Sequence, residues 1–120
     1  MEGDISLFLA IEKMMQEKMV LHQGMLVVKD VDLATIYDVK LTNLRTKISK
    51  NISRFPSDFR IETSKGEYAL TESGILMLGG LLRSERARRA HMQFIEYFVH
   101  LLHENGGSVF DLIKTSSNEL

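Results

Sequence analysis

The residues of this chain best suited to chemistry lie in one cationic stretch. Between positions 40 and 54 it holds five cations and no acid: Lys40, Arg45, Lys47, Lys50 and Arg54. Lysine and arginine neutralise phosphates and release condensed counterions, which gives affinity for a nucleic acid without reading its sequence. Asn43 and Thr46 can read base edges, because an asparagine amide pairs with adenine at two points and a threonine methyl packs on thymine. These residue types favour binding to a nucleic acid.

The same stretch has the periodicity of a two-faced helix, at about 100° per residue. Five apolar side chains share one narrow face: Leu41, Leu44, Ile48, Ile52 and Phe55. The opposite face carries Asn43, Thr46, Lys47, Lys50 and Arg54. Arg45 lies off that face, so we interpret it as a backbone contact or a packing residue. We predict a helix over residues 42–54 that ends before Pro56, since a residue preceding proline avoids the α conformation.

A solvated cationic face is the plain alternative for such a helix. A helix that is merely soluble normally pairs its cations with acids three or four positions away. No acid interrupts this stretch. We therefore favour a surface that meets phosphates, with Thr42, Asn43, Arg45, Thr46, Lys47, Lys50 and Arg54 as DNA-contacting candidates.

The flanking segments predict how this helix is held. Asp30 or Asp32 can cap a short helix that ends near Tyr37, and the turn Asp38-Val39-Lys40 follows. Residues 59–62 and 67–70 predict a hairpin around Ser64-Lys65-Gly66. Two short helices, a three-residue turn and a hairpin follow the order of a winged helix-turn-helix, whose second helix enters the major groove. Lys65, at the tip of this wing, could reach a phosphate.

The remaining elements predict an α+β fold with a winged helix-turn-helix-like core. We expect a single domain over residues 1–104, with an N-terminal helix over 5–16 and a first hairpin over 19–28 around Gln23-Gly24. Thr71 is placed to cap a helix ending near Leu82, and Ser84 to cap a long helix ending near Glu104. Residues 105–120 form a short extension, in which Ser108–Lys114 can add an amphipathic turn before a frayed tail.

A second basic cluster opens the last helix. Its members are Arg83, Arg86, Arg88 and Arg89, against one acid, Glu85. Cations are unfavourable at the N-terminal, positive end of a helix dipole, so these arginines stand where local electrostatics disfavours them. Phosphate contact, notably through Arg86 and Arg89, pairing with an acidic partner and an exposed solubilising turn all remain open.

The rest of the last helix has more apolar width than a single-sided surface helix needs. A homodimer would bury the excess, with Phe94, Phe98, Leu101 and Leu102 at its interface, and two-fold binders commonly read paired half-sites. The alternative is a central core helix covered by the N-terminal helix.

Composition limits the other function classes. The net charge of −1 hides a strong asymmetry, because the two basic stretches carry +5 and +3 and the remainder is acidic. There is no cysteine and no apolar run long enough for a membrane span, and the acidic start Glu2-Gly3-Asp4 lacks the basic region typical of a signal peptide. We expect a cytoplasmic protein, nucleoid-associated when bound to DNA.

Enzyme chemistry has little support. Glu96, His100, His103 and Glu104 lie within helical reach of one another, but solvated side chains at a helix C-terminus explain them equally well. Ser73 lacks a nucleophile elbow, and Gly79-Gly80 fits a close helix crossing better than a phosphate loop. We expect no enzyme activity, no metal, no cofactor and no small-molecule substrate.

Several runs together resemble the ORF-six-N domain family, related to the KilA-N and Bro-N type domains of phages, prophages and large DNA viruses. They are Asp32-Leu33-Ala34, Lys50-Asn51, Arg54-Phe55-Pro56-Ser57-Asp58-Phe59, Leu70-Thr71-Glu72-Ser73-Gly74 and Leu82-Arg83-Ser84-Glu85-Arg86-Ala87. The resemblance covers residues 19–102. It implies a DNA-binding module of a phage-type regulatory protein. Only Thr63–Tyr68 stands where the family has a longer insertion, and no effector domain is expected.

Two functions follow from these observations. The first is sequence-specific binding of double-stranded DNA in transcriptional or replicative regulation. The second is a protein-interaction adaptor or antirepressor-like module that uses the basic face to hold an acidic partner.

Overall fold

The structure is a computed structural model that describes residues 2–104. Its elements are α1 (Glu2–Lys18), β1 (Val20–His22), β2 (Met25–Lys29), α2 (Asp30–Tyr37), α3 (Leu41–Lys50), a 3-10 turn (Ile52–Arg54), β3 (Arg60–Ser64), β4 (Glu67–Leu70), α4 (Glu72–Leu81) and α5 (Glu85–Glu104). The predicted α+β class and the order of its elements are confirmed. The predicted extension over 105–120 lies outside the described residues.

The four strands form one antiparallel sheet in the order β1-β2-β4-β3. Both predicted hairpins are present, with Gln23, Gly24 and Gly66 at positive φ in their turns. The hairpins are joined because β2 pairs with β4, through Val28 with Leu70 and Lys29 with Ala69. The sequence predicted two separate hairpins, since nothing local indicates a pairing between strands about forty residues apart.

The helix α5 lies at the centre of the fold and packs against α1, α2 and α4. Phe94 is fully buried, and its ring centroid lies 5.4 Å from that of Tyr37. Phe98 is also buried, while Leu101 and Leu102 are half-buried. Phe94 and Phe98, predicted as dimer-interface residues, therefore lie in the core of one chain. Neighbouring helices thus cover much of the apolar width of α5, whereas the half-buried Leu101 and Leu102 are not enclosed by them, and the homodimer stays a prediction.

The helix α3 is shorter than predicted. It ends at Lys50, and Asn51 leaves the helical conformation with φ −119° and ψ 30°. The side-chain amide of Asn51 then donates to the Lys47 carbonyl oxygen at 2.8 Å, which satisfies an acceptor of the last turn. Residues after this break do not follow the helical periodicity from which one apolar face was predicted. Ile52 is therefore 39% exposed, while Phe55 is fully buried.

The predicted helix caps have different outcomes. Thr71 accepts from the Gly74 backbone N–H, and Ser84 accepts from that of Ala87, so both predicted caps are confirmed. Asp30 and Asp32 do not cap α2, because both lie inside it and Lys29 occupies the cap position. The carboxylate of Asp30 is used for contacts with α3 and β4 instead.

Candidate nucleic-acid interface

The solvent face of α3 brings together four of the predicted DNA-contacting side chains and Asn51, which was not predicted. Asn43, Thr46, Lys47, Lys50 and Asn51 together line a shallow concavity of about 270 Å³. Apart from the half-buried Lys47 and Asn51, these side chains are exposed, as is Thr42 in the first turn. The surface therefore presents ammonium groups and amide donors side by side.

Apolar burial fixes which face of α3 is free. Leu44 and Ile48 are fully buried, one helical turn apart, in the same core as Tyr37 and Phe55. A left-handed residue, Asp38 with φ 56°, closes α2, and the Val39 N–H donates to the Ala34 carbonyl oxygen at 3.0 Å. This turn lets α3 pack on the core directly after α2, so its polar side must face solvent.

Arg45 points to a different partner from the other cations of α3. Its Nε donates to Asp30 Oδ2 at 2.8 Å and its Nη2 to Asp30 Oδ1 at 3.2 Å, a two-point pair with a carboxylate that is almost fully buried. The hydrogen bond from Arg45 to Asp30 raises the pKa of the guanidinium above its ordinary value. The charge of Arg45 is thus already compensated within the chain, which distinguishes it from Lys47 and Lys50.

Arg54 and Lys65 are exposed but do not line the α3 concavity. Arg54 lies in the 3-10 turn beyond α3. Lys65 lies at the tip of the β3–β4 hairpin, where the Gly66 N–H donates to Glu62 Oε1 at 2.9 Å. The tip therefore combines one cation with nearby acids.

The second basic cluster is also exposed. All four arginines at the beginning of α5 face solvent: Arg83, Arg86, Arg88 and Arg89. Arg89 forms an ion pair with Glu85 at 3.4 Å, but both side chains are mostly exposed, and such pairs contribute little. These cations remain available to a partner surface.

The positions of the described side chains give less support to a metal site than to a nucleic-acid interface. Within residues 2–104, no three histidine, aspartate or glutamate side chains converge as metal ligands would. His100 pairs with Glu104 at 3.0 Å along α5. No helix in the described part of the chain combines the length and apolar character needed to cross a membrane.

The family of the chain follows from its sequence. The family sequence model of the ORF6N domain matches residues 17–106, three quarters of the chain. The chain belongs to the ORF6N domain family. The match covers both hairpins, α2, α3, α4 and α5, and confirms the resemblance inferred from the motif runs. No curated protein and no solved structure matches the chain significantly.

Two of the motif runs of this ORF6N domain contact each other. The Phe59 carbonyl oxygen accepts from the Thr71 N–H at 3.0 Å, and the Thr71 hydroxyl donates to the Asp58 carbonyl oxygen at 2.9 Å. A side chain at Gly74 would collide with the same Phe59 oxygen. The run over 54–59 and the run over 71–74 thus form one junction, which joins the end of the α3 region to the start of α4.

Proposed function

We propose that this ORF6N protein binds double-stranded DNA in a sequence-specific manner, with α3 in the major groove. The observation that carries the proposal is the solvent-facing set Asn43, Thr46, Lys47 and Lys50 on a helix whose opposite side buries Leu44 and Ile48 completely. A major groove about 12 Å wide admits one α-helix. The α2–turn–α3 unit and the β3–β4 hairpin would then act as a winged helix-turn-helix, in the regulatory setting of a phage or prophage.

The side chains divide by chemistry into two roles. Lys47 and Lys50 neutralise phosphates on either side of the groove, and Thr42 and Arg54 extend this contact beyond the two ends of the face. Asn43 and Thr46 meet base edges, Asn43 pairing with adenine and Thr46 packing on a thymine methyl. Lys65 on the hairpin, and Arg86 with Arg89 on α5, supply further phosphate contacts. The function proposed is binding, without catalysis or a cofactor.

Salt-dependent titration tests this proposal. Labelled duplexes, first selected from a random pool, are titrated with protein at several salt concentrations. Each phosphate contact contributes about 0.9 to the slope of log affinity against log salt. We expect Lys47→Gln with Lys50→Gln to lower that slope by about 2 and to weaken binding to all duplexes.

The matched control is Lys13→Gln with Lys18→Gln, which removes the same charge from exposed positions on α1. This control is expected to leave the slope unchanged. Equal weakening by the two double variants would attribute binding to net charge and not to α3. If wild-type protein binds no duplex at low salt, DNA binding is excluded, and an acidic protein partner becomes the better explanation of the basic face.

A further inference from the structure

Asp30 stands apart from every other charged residue of the described chain, because it alone is buried, with 3% of its surface exposed. Burying a carboxylate is costly unless it is paired and hydrogen-bonded. Its two oxygens accept three hydrogen bonds, two from Arg45 and one from the Tyr68 backbone N–H at 2.9 Å. One carboxylate at the beginning of α2 is therefore attached to both α3 and β4.

Further contacts join α3 directly to β4. Arg45 Nη2 lies 3.9 Å from Glu67 Oε1, and the hydroxyls of Ser49 and Tyr68 lie 3.0 Å apart. Arg45 and Ser49 are four positions apart, so they project from the same side of α3. This set of contacts, here termed the α3–β4 clamp, consists of Asp30, Arg45, Ser49, Glu67 and Tyr68.

The α3–β4 clamp supplies what apolar packing cannot. Burial of Leu44 and Ile48 fixes which face of α3 meets the core, but hydrophobic attraction is non-directional and leaves small rotations about the helix axis weakly restrained. A two-point arginine–carboxylate pair has fixed geometry and restrains that rotation. Reading bases requires side chains held within about 0.5 Å and 10–20° of the productive geometry. Asn43 and Thr46 project from the same helix that the clamp orients.

We propose that Arg45 is a positioning residue that sets the rotation of α3 against the β3–β4 hairpin through its pair with Asp30. Base discrimination then depends on Arg45, whereas the phosphate contribution to affinity does not. The inference rests on the proposed DNA binding and assigns Arg45 a role distinct from that of Lys47 and Lys50. In some proteins, buried polar or ionic groups specify one arrangement instead of adding stability.

The direction in which DNA affinity changes in an Asp30 variant distinguishes a positioning role from a purely electrostatic one. Removing a negative charge near a DNA-binding surface strengthens binding if only long-range charge matters. Loss of positioning instead weakens binding to the selected duplex. Asp30→Asn is therefore expected to weaken binding to the selected duplex although the protein becomes more positive.

The experiment measures affinity for a selected and a scrambled duplex at several salt concentrations, below the unfolding temperature of every variant. For Arg45→Met we expect the ratio of the two affinities to fall about tenfold, comparable to one lost base contact, with an unchanged salt slope. Arg45→Lys keeps the charge but loses the two-point geometry, so its affinity ratio should lie between those of Arg45→Met and wild type. Ser49→Ala, which changes no charge, should lower the ratio in the same direction.

A second measurement needs no DNA. Amide hydrogen exchange on the free protein should become faster in α3 and β4 of Arg45→Met, while exchange in α1 stays at the wild-type rate. Unchanged exchange in α3 would overturn the positioning role. So would a salt slope lowered by about 1 with equal weakening on both duplexes, because that is the signature of a phosphate contact.

The wild-type titration distinguishes failure of this inference from failure of the proposed function. If wild-type protein discriminates between duplexes and Arg45→Met discriminates equally well, positioning is wrong and DNA binding stands. If wild-type protein binds neither duplex, both proposals are wrong.

Discussion

Thr71 shows how much one side chain can contribute to this fold. Its hydroxyl oxygen accepts from the Gly74 N–H at 3.4 Å, and the same hydroxyl donates to the Asp58 carbonyl oxygen at 2.9 Å. The first contact caps α4 and the second holds the loop before β3. One hydroxyl thus satisfies a free donor of a helix end and an acceptor of a loop.

We predict that Thr71→Ala lowers the free energy of unfolding by about 0.5–2 kcal/mol, the range of a lost N-cap. Thr71→Ser keeps the hydroxyl and should stay within about 0.5 kcal/mol of wild type. Urea denaturation followed by circular dichroism measures both values. Equal losses in the two variants would show that the methyl group, and not the hydroxyl, is what matters at this position.

The crossing of α4 with α2 and α5 depends on the absence of a side chain at Gly79. A Cβ atom at Gly79 would lie 2.8 Å from the Tyr37 hydroxyl oxygen and would also collide with the His91 ring. The same position thus lies against both α2 and α5. This confirms the close helix crossing predicted from Gly79-Gly80. The adjacent Gly80 is exposed, and a Cβ there would meet nothing within 4 Å.

The two glycines allow a matched comparison. Gly79→Ala is expected to destabilise the protein by about 1–3 kcal/mol, because the added methyl must separate packed helices. Gly80→Ala is expected to stabilise it by about 0.5–1 kcal/mol, since alanine is the better helix former and has space here. Thermal unfolding of both variants measures the difference. Stabilisation by both substitutions would contradict the close crossing.

One titratable side chain that packs between the helices is the imidazole of His91. His91 is half-buried on α5, and its Nδ1 is buried without a hydrogen-bond partner among residues 2–104. Burial lowers the pKa of His91 below the ordinary value of 6.5, because it disfavours the charged imidazolium. The unfolded chain therefore binds more protons than the folded chain at pH values just below 6.5.

The unfolding free energy should consequently fall as the pH drops below 6.5, since stability rises with pH wherever the unfolded state binds more protons. In His91→Gln, which cannot titrate, this part of the decrease should disappear. The difference between the two pH profiles isolates His91 from the carboxylates, which titrate in both proteins. His103→Gln, at an exposed position of the same helix, is the control and should follow the wild-type profile.

The local features of the fold could be predicted from the sequence. The caps at Thr71 and Ser84, the turn at Asp38–Lys40 and the buried pair Leu44 and Ile48 all depend on residues within four positions of one another. Over such distances, helical periodicity and side-chain capping fix the geometry before distant contacts form. The face of Asn43, Thr46, Lys47 and Lys50 was predicted for the same reason, up to the break at Asn51.

Only the tertiary structure decided which of these local pieces meet. Asp30 has the local pattern of a helix cap, yet its partners lie 15 and 38 positions away, on α3 and β4. From the sequence, the apolar width of α5 fits a dimer interface or a core helix, and only the fold places Phe94 and Phe98 in the core beside α1, α2 and α4. Composition and periodicity give each residue a preference for burial or pairing, but they do not identify its partner. The cationic face of α3 was therefore determined by the sequence, and the clamp that orients it by the fold.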